Sequence, residues 1–268
     1  MSLTKKLKEN FKTYLPKPIF KLVSKTYITY IKFKRFFYSV KRIENHWAYI
    51  LDVVGLQKEM YYIYIEGNKI FIRPNTADRI MIDDVISDQQ YFKGIKKDLD
   101  VVIDLGAHIG LFSILVNANK IYSIEANKQN FKMLKKNVLE NTNRITPFHL
   151  AISDSNKEVK LYNGRMNARN SIMIYDTNEY EIVKSSTLER FIKDNNIEVC
   201  NILKIDVEGA EYKILYSTPK EIFSRINSIV MELHDVDGED KNKLVNHLIK
   251  MGYDVDYNGK NFLWAYKR

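Results

Sequence analysis

The stretch of sequence that decides the fold of this chain reads Val101-Val102-Ile103-Asp104-Leu105-Gly106-Ala107-His108-Ile109-Gly110. Its apolar start, Val101 to Ile103, predicts a buried parallel strand that ends in the carboxylate of Asp104. Two glycines four residues apart come next, and an amphipathic stretch then begins at Leu111. Strand, tight glycine turn and helix in this order are typical of a loop whose backbone approaches a nucleotide-like ligand.

The next apolar run indicates which ligand that would be. A second predicted strand, Lys120 to Glu125, ends in an acid nineteen residues after Gly106, where dinucleotide folds place the acid that binds ribose hydroxyls. A dinucleotide turn has glycine where His108 stands, and Asp104 would repel a pyrophosphate. S-adenosylmethionine carries a sulfonium and an ammonium and no phosphate, so the turn favours this cofactor. A dinucleotide, or a glycine turn that serves packing alone, is the alternative.

Beyond this point predicted strands alternate with predicted helices, which indicates a parallel α/β sheet with right-handed crossovers. The later strands are predicted at Ile145 to His149, Asn201 to Val207, Ile226 to Leu233, Tyr253 to Asp256 and Phe262 to Tyr266. The last two flank Asn258-Gly259 and predict a hairpin. A parallel sheet that ends in a hairpin has one antiparallel strand near its edge, which again favours a methyltransferase sheet over a dinucleotide domain.

Charge separates the start of the chain from the rest. Residues 1–42 hold twelve Lys and Arg and one acid, a net of +11, whereas the other 226 residues have a net charge of −2. A basic helix rich in Phe and Tyr is predicted over Ile19 to Ile43, after a shorter helix from Lys5 to Leu15. Such a helix suits an anionic membrane surface or polymer, and the alternative is packing on the body or on a partner subunit.

We therefore divide the chain into a basic helical arm (1–45), a hairpin and helix lead-in (46–98) and the core domain (99–268). In the lead-in, Tyr61 to Arg73 alternates around Gly67-Asn68 and predicts a hairpin. A helix capped by Asn75 or Thr76 is predicted to run to about Ser87. Within the core, short strands bracket an inserted polar stretch, Asn163 to Asn178, which is either a substrate-facing loop or a surface excursion.

Bulk properties are those of a globular protein, with 45% apolar and 28% charged residues. The lone cysteine, Cys200, excludes an internal disulfide and indicates a reducing compartment. No apolar run approaches the roughly 18 residues of a membrane span, and the N-terminus lacks the apolar core of a secretory signal. The expected location is cytoplasmic, with peripheral attachment to the inner face of the membrane as an option through the arm.

Five segments together resemble the FkbM family of S-adenosylmethionine-dependent methyltransferases. They are Asp104-Leu105-Gly106-Ala107-His108-Ile109-Gly110, Ser123-Ile124-Glu125-Ala126-Asn127, Ala151-Ile152-Ser153-Asp154, Leu203-Lys204-Ile205-Asp206-Val207-Glu208-Gly209-Ala210-Glu211 and Glu232-Leu233-His234. The resemblance covers residues 70–255. It implies a class I, Rossmann-like α/β fold with a doubly wound, mostly parallel seven-stranded sheet, and O-methylation of a hydroxyl on a sugar, glycan, glycolipid or natural product. The family carries Asn where His108 stands and Pro where Ala126 stands.

Ligands of open α/β sheets bind at the carboxyl ends of the strands, so the strand ends should converge on one crevice. Asp104 and Gly106 are expected to face the amino-acid end of the cofactor, Glu125 the ribose, and Ser153 and Asp154 the adenine rim. The full cofactor-binding set predicted is Asp104, Gly106, Ala107, His108, Gly110, Glu125, Ala126, Ser153, Asp154 and Asp206. The alternatives are that Asp104 caps the next helix, that Glu125 is a surface carboxylate and that Asp154 is a turn residue.

The catalytic residues predicted on the acceptor side are His234, Asp206 and Glu232. His234 is the first choice as general base, because an ordinary histidine pKa lies near working pH. Asp206 is expected to orient the substrate, unless the acids Glu208 and Glu232 raise its pKa. Asp206, Glu232 and His234 could together hold Mg²⁺, which prefers carboxylate oxygens, although no metal ligands are assigned. Glu208 could instead only begin the following helix.

Two rival functions remain open. An RNA ribose methyltransferase would use the basic arm to bind phosphates, whereas nucleobase amino-methylation usually needs a Pro-Pro loop that this chain lacks. A non-catalytic scaffold would keep the cofactor fold and work through the arm. The expected partners are a hydroxylated small-molecule or glycan acceptor and an anionic membrane surface, with nucleic acid and a second subunit as further alternatives.

Overall fold

The computed structural model of the chain describes residues 30, 33–88, 90–95, 99–162 and 179–268. The predicted helix Lys5 to Leu15, the first part of the predicted helix Ile19 to Ile43 and the inserted stretch Asn163 to Asn178 lie outside the described residues. The part of the second helix that is described confirms the prediction, because residues 33–42 are helical.

The strands, in chain order, are β1 Tyr61–Ile65, β2 Asn68–Ile72, β3 Leu99–Leu105, β4 Ala118–Glu125, β5 Ile145–His149, β6 Ala151–Ser153, β7 Val159–Tyr162, β8 Tyr180–Val183, β9 Ser185–Thr187, β10 Cys200–Ile205, β11 Ile226–Glu232, β12 Tyr253–Tyr257 and β13 Phe262–Lys267. The helices are α1 33–42, α2 Trp47–Val53, α3 Asp78–Asp83, α4 Leu111–Leu115, α5 Lys128–Asn141, α6 Leu188–Asp194, α7 Glu211–Ser217, α8 Lys220–Phe223 and α9 Lys241–Lys250.

Seven strands of the described chain form one sheet in the order β12-β13-β11-β10-β3-β4-β5. Six of them run parallel, and β13 is antiparallel to both of its neighbours. The predicted mostly parallel seven-stranded sheet with a C-terminal hairpin is therefore confirmed. Because β3 lies between β4 and β10, the carboxyl ends of these three strands lie side by side, as the predicted crevice requires.

Helices cover both faces of the sheet. Successive strand residues point to opposite faces, so Val102 of β3 packs with the hairpin, α3, α4 and α5, whereas Ile103 packs with α6 to α9. Both residues are fully buried. This double cover explains why the central strands are almost continuously apolar and why a charged side chain within them is conspicuous.

The hairpin β1–β2 forms as predicted, but its turn is one residue earlier than expected. Ile65 pairs with Asn68, so the two turn residues are Glu66 and Gly67 rather than Gly67-Asn68. Both turn residues have positive φ, 51° and 75°, as a type I′ turn requires. The Asn68 side chain donates hydrogen bonds to the carbonyls of Ile65 and Glu66, which explains its place just after the turn.

The helix predicted to run to about Ser87 does reach that point, as α3 followed by a π-helical turn over Asp84–Asp88. Three other predicted boundaries need correction. The cap of α3 is Ala77 rather than Asn75 or Thr76, and the Thr76 hydroxyl accepts a hydrogen bond from the Asp78 N–H at 3.2 Å. Strand β3 extends to Leu105, so Asp104 lies within the strand and not at its end, whereas β10 ends at Ile205 and leaves Asp206 in the turn.

Two small sheets flank the insertion. β6 pairs with β9 in parallel and β7 with β8 in antiparallel fashion, which confirms the short strands predicted on either side of Asn163 to Asn178. Thr187 caps α6, because its hydroxyl accepts a hydrogen bond from the Arg190 N–H. None of the helices in the described ranges combines the length and the apolar character needed to cross a bilayer.

Candidate functional site: the crevice at the carboxyl edge of the sheet

The glycine turn between β3 and α4 is held by close approaches of the main chain. Gly106 has φ +75°, and a Cβ at this position would lie 1.7 Å from the carbonyl oxygen of Asp206 in the turn after β10. Gly110, with φ +90°, begins α4, and its Cβ would lie 2.6 Å from Cδ1 of Leu134. The close approach to backbone therefore requires glycine at position 106, which joins two turns at the edge of the sheet, whereas a Cβ at position 110 would meet only the end of a side chain.

Glu125, at the end of β4, fixes the same turn from the other side. One carboxylate oxygen accepts the His108 N–H and the other accepts the Asn127 N–H, each at 2.8 Å. Burial raises the pKa of Glu125 to about 7, against the effect of these two hydrogen bonds. Each oxygen keeps a second lone pair for a ligand hydroxyl. The alternative of a surface carboxylate does not apply, because Glu125 is buried.

A crevice opens between the turns that follow β3, β4 and β10. Its lining includes five of the predicted cofactor residues, namely Gly106, His108, Glu125, Ala126 and Asp206. Apolar side chains also line it, among them those of Met81, Leu150, Ala151, Ile152 and Leu161. A crevice lined by both polar and apolar groups suits a nucleoside, whose ribose is hydroxylated and whose base is flat and largely apolar at its faces.

Four other predicted cofactor residues lie away from the lining of this crevice. Ala107 and Gly110 lie within the turn and are buried there. Ser153 is fully buried, with its hydroxyl 2.5 Å from that of Ser185, and Asp154 is exposed beside it. The cofactor roles of these residues stay predictions.

Asp104 is also absent from the lining, because it belongs to a buried ion pair. Its carboxylate lies 3.0 Å from Nζ of Lys204 in β10 and accepts a hydrogen bond from the Ser113 hydroxyl at 2.6 Å. Lys204 Nζ also donates to the Gly106 carbonyl at 2.8 Å and lies 3.9 Å from the carboxylate of Asp206. Although burial opposes it, these carboxylates raise the pKa of Lys204 above its usual value. Lys204 therefore carries a positive charge beneath the crevice.

Tyr91 completes this network from the segment before β3. Its hydroxyl donates a hydrogen bond to Asp206 at 2.8 Å, and its ring packs against Phe112 and Phe262. Burial, followed by the charge of Asp206, raises the pKa of Tyr91 well above its usual value. The phenol therefore stays protonated, and it orients Asp206 as a hydrogen-bond donor.

His108 faces the lead-in segment. Its ring Nε2 lies 3.5 Å from the carboxylate of Asp78, which is fully buried and bound by the guanidinium of Arg73 at 2.6 Å. Burial lowers the pKa of His108 to about 4, so the imidazole is neutral at physiological pH. The Arg73 guanidinium also donates to the Asn130 side chain at 2.7 Å, and Asn130 lines the crevice. The lead-in thus supports the floor of the crevice.

His234, after β11, lies between two carboxylates. Its Nδ1 lies 3.2 Å from Glu211 and its Nε2 lies 3.3 Å from Glu208. Although burial lowers it, these groups together with Asp206 raise the pKa of His234 to about 10. The imidazole therefore carries a proton on both nitrogens at neutral pH, where it donates hydrogen bonds and has no lone pair to accept a proton.

Glu232 is the other titratable group of this corner. Burial and the neighbouring charge of Asp206 raise its pKa to about 7, and its carboxylate accepts a hydrogen bond from Asn261 at 2.6 Å. Three side-chain atoms, one from each of Asp206, Glu232 and His234, lie within 4.8 Å of one another. The structure thus brings the three predicted catalytic residues together.

This trio fits Mg²⁺ poorly. The protonated His234 offers no lone pair, and the ammonium of Lys204 already supplies a positive charge near Asp206. A metal bound here would have to displace the proton on His234 and the ammonium of Lys204 from Asp206.

Sequence reasoning missed three residues of this site. Lys204 was detectable as a lysine inside the apolar run Ile202 to Ile205, because a buried lysine needs a carboxylate partner. Glu211 is fully buried and accepts hydrogen bonds from the Gly209 and His234 N–H groups, but in sequence it looks like any acid in the first turn of a helix. Tyr91 had no signal, since it reaches Asp206 across 115 positions of the chain.

The strand order, the single antiparallel strand and the crevice at the carboxyl edge together define a class I methyltransferase fold. The sequence profile of the methyltransferase FkbM domain matches residues 104–257, more than half of the chain. The protein belongs to the FkbM family of methyltransferases, as the sequence motifs predicted.

Individual proteins show the same likeness at low identity. The chain is similar to the hexuronic acid methyltransferase AglP of Haloferax volcanii, at 23% identity over 166 residues, 59% of this chain and 69% of the relative. The crystal structure of methyltransferase FkbM from Methylobacillus flagellatus aligns with a TM-score of 0.46 at 16% identity, over 66% of this chain. The match spans only 46% of that longer chain. A precorrin-6y C5,15-methyltransferase from Geobacter metallireducens aligns with a TM-score of 0.43 at 16% identity, over 68% of this chain and 88% of its own.

Proposed function

We propose that this protein is an S-adenosylmethionine-dependent O-methyltransferase that methylates a hydroxyl of a sugar or glycan. The cofactor proposal rests on Glu125, whose buried carboxylate clamps the glycine turn and faces the crevice. A sugar acceptor is supported by the similarity to a hexuronic acid methyltransferase. The proposed donor supplies a methyl group on a sulfonium, which is already activated for displacement by an oxygen nucleophile.

The protein's part is then to position the acceptor and to take up its proton. Alignment of the acceptor oxygen with the methyl group is the larger contribution, and the backbone contact between Gly106 and Asp206 sets the two halves of the crevice against each other. Removal of the proton by a well-placed general base typically raises the rate by a further factor of about 10² to 10⁴.

We assign the base to Glu232 and not to His234, which was the first choice from sequence. A base must be unprotonated at working pH, and a carboxyl with a pKa of about 7 meets this condition while an imidazole with a pKa of about 10 does not. His234, held between Glu211 and Glu208, then supplies a positive charge beside the acceptor. Asp206, fixed by Tyr91, orients the acceptor hydroxyl.

The test separates cofactor binding from turnover. Isothermal titration with S-adenosylmethionine and S-adenosylhomocysteine should show normal affinity in Glu232→Gln and strongly reduced affinity in Glu125→Ala. Turnover on an accepted glycan should fall at least about 10²-fold in Glu232→Gln. Full turnover in Glu232→Gln would exclude Glu232 as the base, and an absence of cofactor binding by the wild-type protein would overturn the whole proposal.

The nature of the methylated oxygen is open to a simple chemical test. A hexuronic acid offers hydroxyl oxygens and a carboxylate oxygen, which give an ether and an ester respectively. Methyl transfer from labelled cofactor to uronate-containing oligosaccharides should give a product that survives mild alkali. Loss of the label in alkali would show ester formation and contradict methylation of a hydroxyl.

A further inference from the structure

The outward face of α1 is aromatic and basic. Helical residues 30, 33, 34, 37, 38 and 41 are exposed at the spacing of a single helix face. Four of the six are aromatic, namely Tyr30, Phe33, Phe37 and Tyr38, and the other two are Lys34 and Lys41. Phe33 is 60% exposed and Phe37 47%. Large aromatic side chains are usually the first to be buried, so their outward position needs a reason.

The opposite face of α1 is fixed to the rest of the protein. The six exposed residues, which we call the aromatic stripe, therefore cannot turn inward. Arg35 forms an ion pair with Asp84, and the Ser39 hydroxyl donates to Asp83 at 2.5 Å. The ring of Phe36 stacks on Tyr49 of α2 with 6.2 Å between centroids. The helix therefore carries its aromatic stripe outward as a consequence of its own docking.

The next helix also exposes apolar side chains on one face. Trp47, Leu51 and Val54 lie one helical turn apart on α2 and just beyond it, and all three are exposed, Trp47 by 73%. The one acid of α2, Asp52, points inward and accepts a hydrogen bond from Tyr61 at 2.9 Å. Neither outward face carries a carboxylate.

We propose that these two exposed faces, one formed by the six residues from Tyr30 to Lys41 named above and the other by Trp47, Leu51 and Val54, dock on an anionic lipid bilayer. Aromatic and aliphatic side chains on one face of a helix enter the interface between head groups and acyl chains, and nearby lysines bind anionic head groups. The sequence that precedes this face also has the charge complementary to such a surface, since residues 1–29 contain seven lysines and one glutamate. The proposal does not depend on the reaction that the crevice catalyses.

The contacts of the two arginines in α1 favour lipid over nucleic acid. Arginine is the side chain best suited to bidentate contacts with phosphates, but Arg35 and Arg42 are ion-paired with Asp84 and Glu66 of the body. The outward face of α1, together with Tyr30, presents four aromatic rings and two lysines, which suits insertion into the interface of a bilayer.

The test measures how much of the protein sediments with vesicles of phosphatidylcholine alone and with vesicles that also contain about 30% of the anionic lipid phosphatidylglycerol. We expect binding to the anionic vesicles only, weakened by salt. Phe33→Gln/Phe37→Gln should lower the partition coefficient about tenfold or more, and Lys34→Gln/Lys41→Gln should do the same. Leu139→Gln, at an apolar residue of α5 that is 82% exposed, is the matched control and should bind as the wild type does.

Circular dichroism and S-adenosylmethionine titration check that each variant is folded, and Gln is a better helix former than Phe. Equal binding of the wild type to both vesicle types, or wild-type binding by the double Phe variant, overturns the proposal. The proposal is equally overturned if the wild-type protein does not bind either type of vesicle while Phe33→Gln/Phe37→Gln disrupts an RNA complex or a dimer seen by light scattering.

Discussion

Replacement of Gly106 by alanine should separate the cost of a close backbone approach from the cost of an unusual backbone conformation. Gly106 and Gly67 have the same φ of +75°, but a Cβ on Gly67 meets nothing within 4 Å, whereas a Cβ on Gly106 lies 1.7 Å from the Asp206 carbonyl oxygen. Gly67→Ala is therefore a matched control for conformation alone.

The conformational cost of alanine at positive φ is about 1 kcal/mol, so Gly67→Ala should lower the melting temperature by about 2–4 °C in a chain of this size. In Gly106→Ala the two turns must also separate by more than 1 Å, since real Cβ contacts lie beyond 3.0 Å. Overpacking adds about 1–3 kcal/mol or more. The total, about 2–4 kcal/mol, corresponds to a loss of roughly 4–16 °C.

Urea denaturation of both variants gives the free energies of unfolding, and titration with S-adenosylmethionine reports the crevice. Gly106→Ala should also bind the cofactor at least about tenfold more weakly than Gly67→Ala, because the displaced turn carries His108 and the contact with Glu125. If the two variants lose the same stability within about 0.5 kcal/mol, the close contact is not a determinant of the fold and the reasoning fails.

Four further results are expected. Glu125→Ala should abolish detectable cofactor binding by calorimetry, and retained affinity would remove Glu125 from the ribose site. The kcat/KM for the acceptor should rise with pH to a plateau above about 7, because Glu232 loses its proton, and it should fall above about 10, because His234 loses its own. A flat profile across pH 6–8, about one unit on either side of 7, would contradict the assignment of Glu232 as the base. Extensive dialysis against EDTA should leave turnover unchanged, and loss of turnover restored by Mg²⁺ would reinstate the metal. Lys204→Met should cost about 3–5 kcal/mol of stability by leaving Asp104 without a counter-charge, and Lys204→Met/Asp104→Asn should recover part of it in urea denaturation.

The sheet was predictable because its information is local. Each core strand is an apolar run of ordinary length, and the hairpin before the C-terminus has its turn residues in sequence. The same locality explains the small errors. The turn of the first hairpin shifted by one residue because Glu66 accepts a positive φ that the sequence pattern assigned to Asn68.

The sequence predicted at which edge of the sheet the site lies, but not the contacts and charges of its individual residues. Asp104 and Glu125 look equivalent in sequence, as acids at the ends of neighbouring apolar runs. They differ because Lys204 from a strand about 100 positions later reaches Asp104 and neutralises it, while Glu125 meets backbone N–H groups. The charge state of His234 likewise depends on Glu211, a residue whose burial follows from tertiary packing.

The contact between Gly106 and Asp206 has an evolutionary consequence. The spacing between the donor half and the acceptor half of the crevice is held by main-chain atoms, so substitutions at the rim leave it unchanged as long as Gly106 itself is kept. Relatives could therefore exchange the residues that choose an acceptor and keep an unchanged reach for the transferred group. Differences in the acceptor among such relatives would then come from residues at the rim of the crevice, while the main-chain spacing beneath them stays the same.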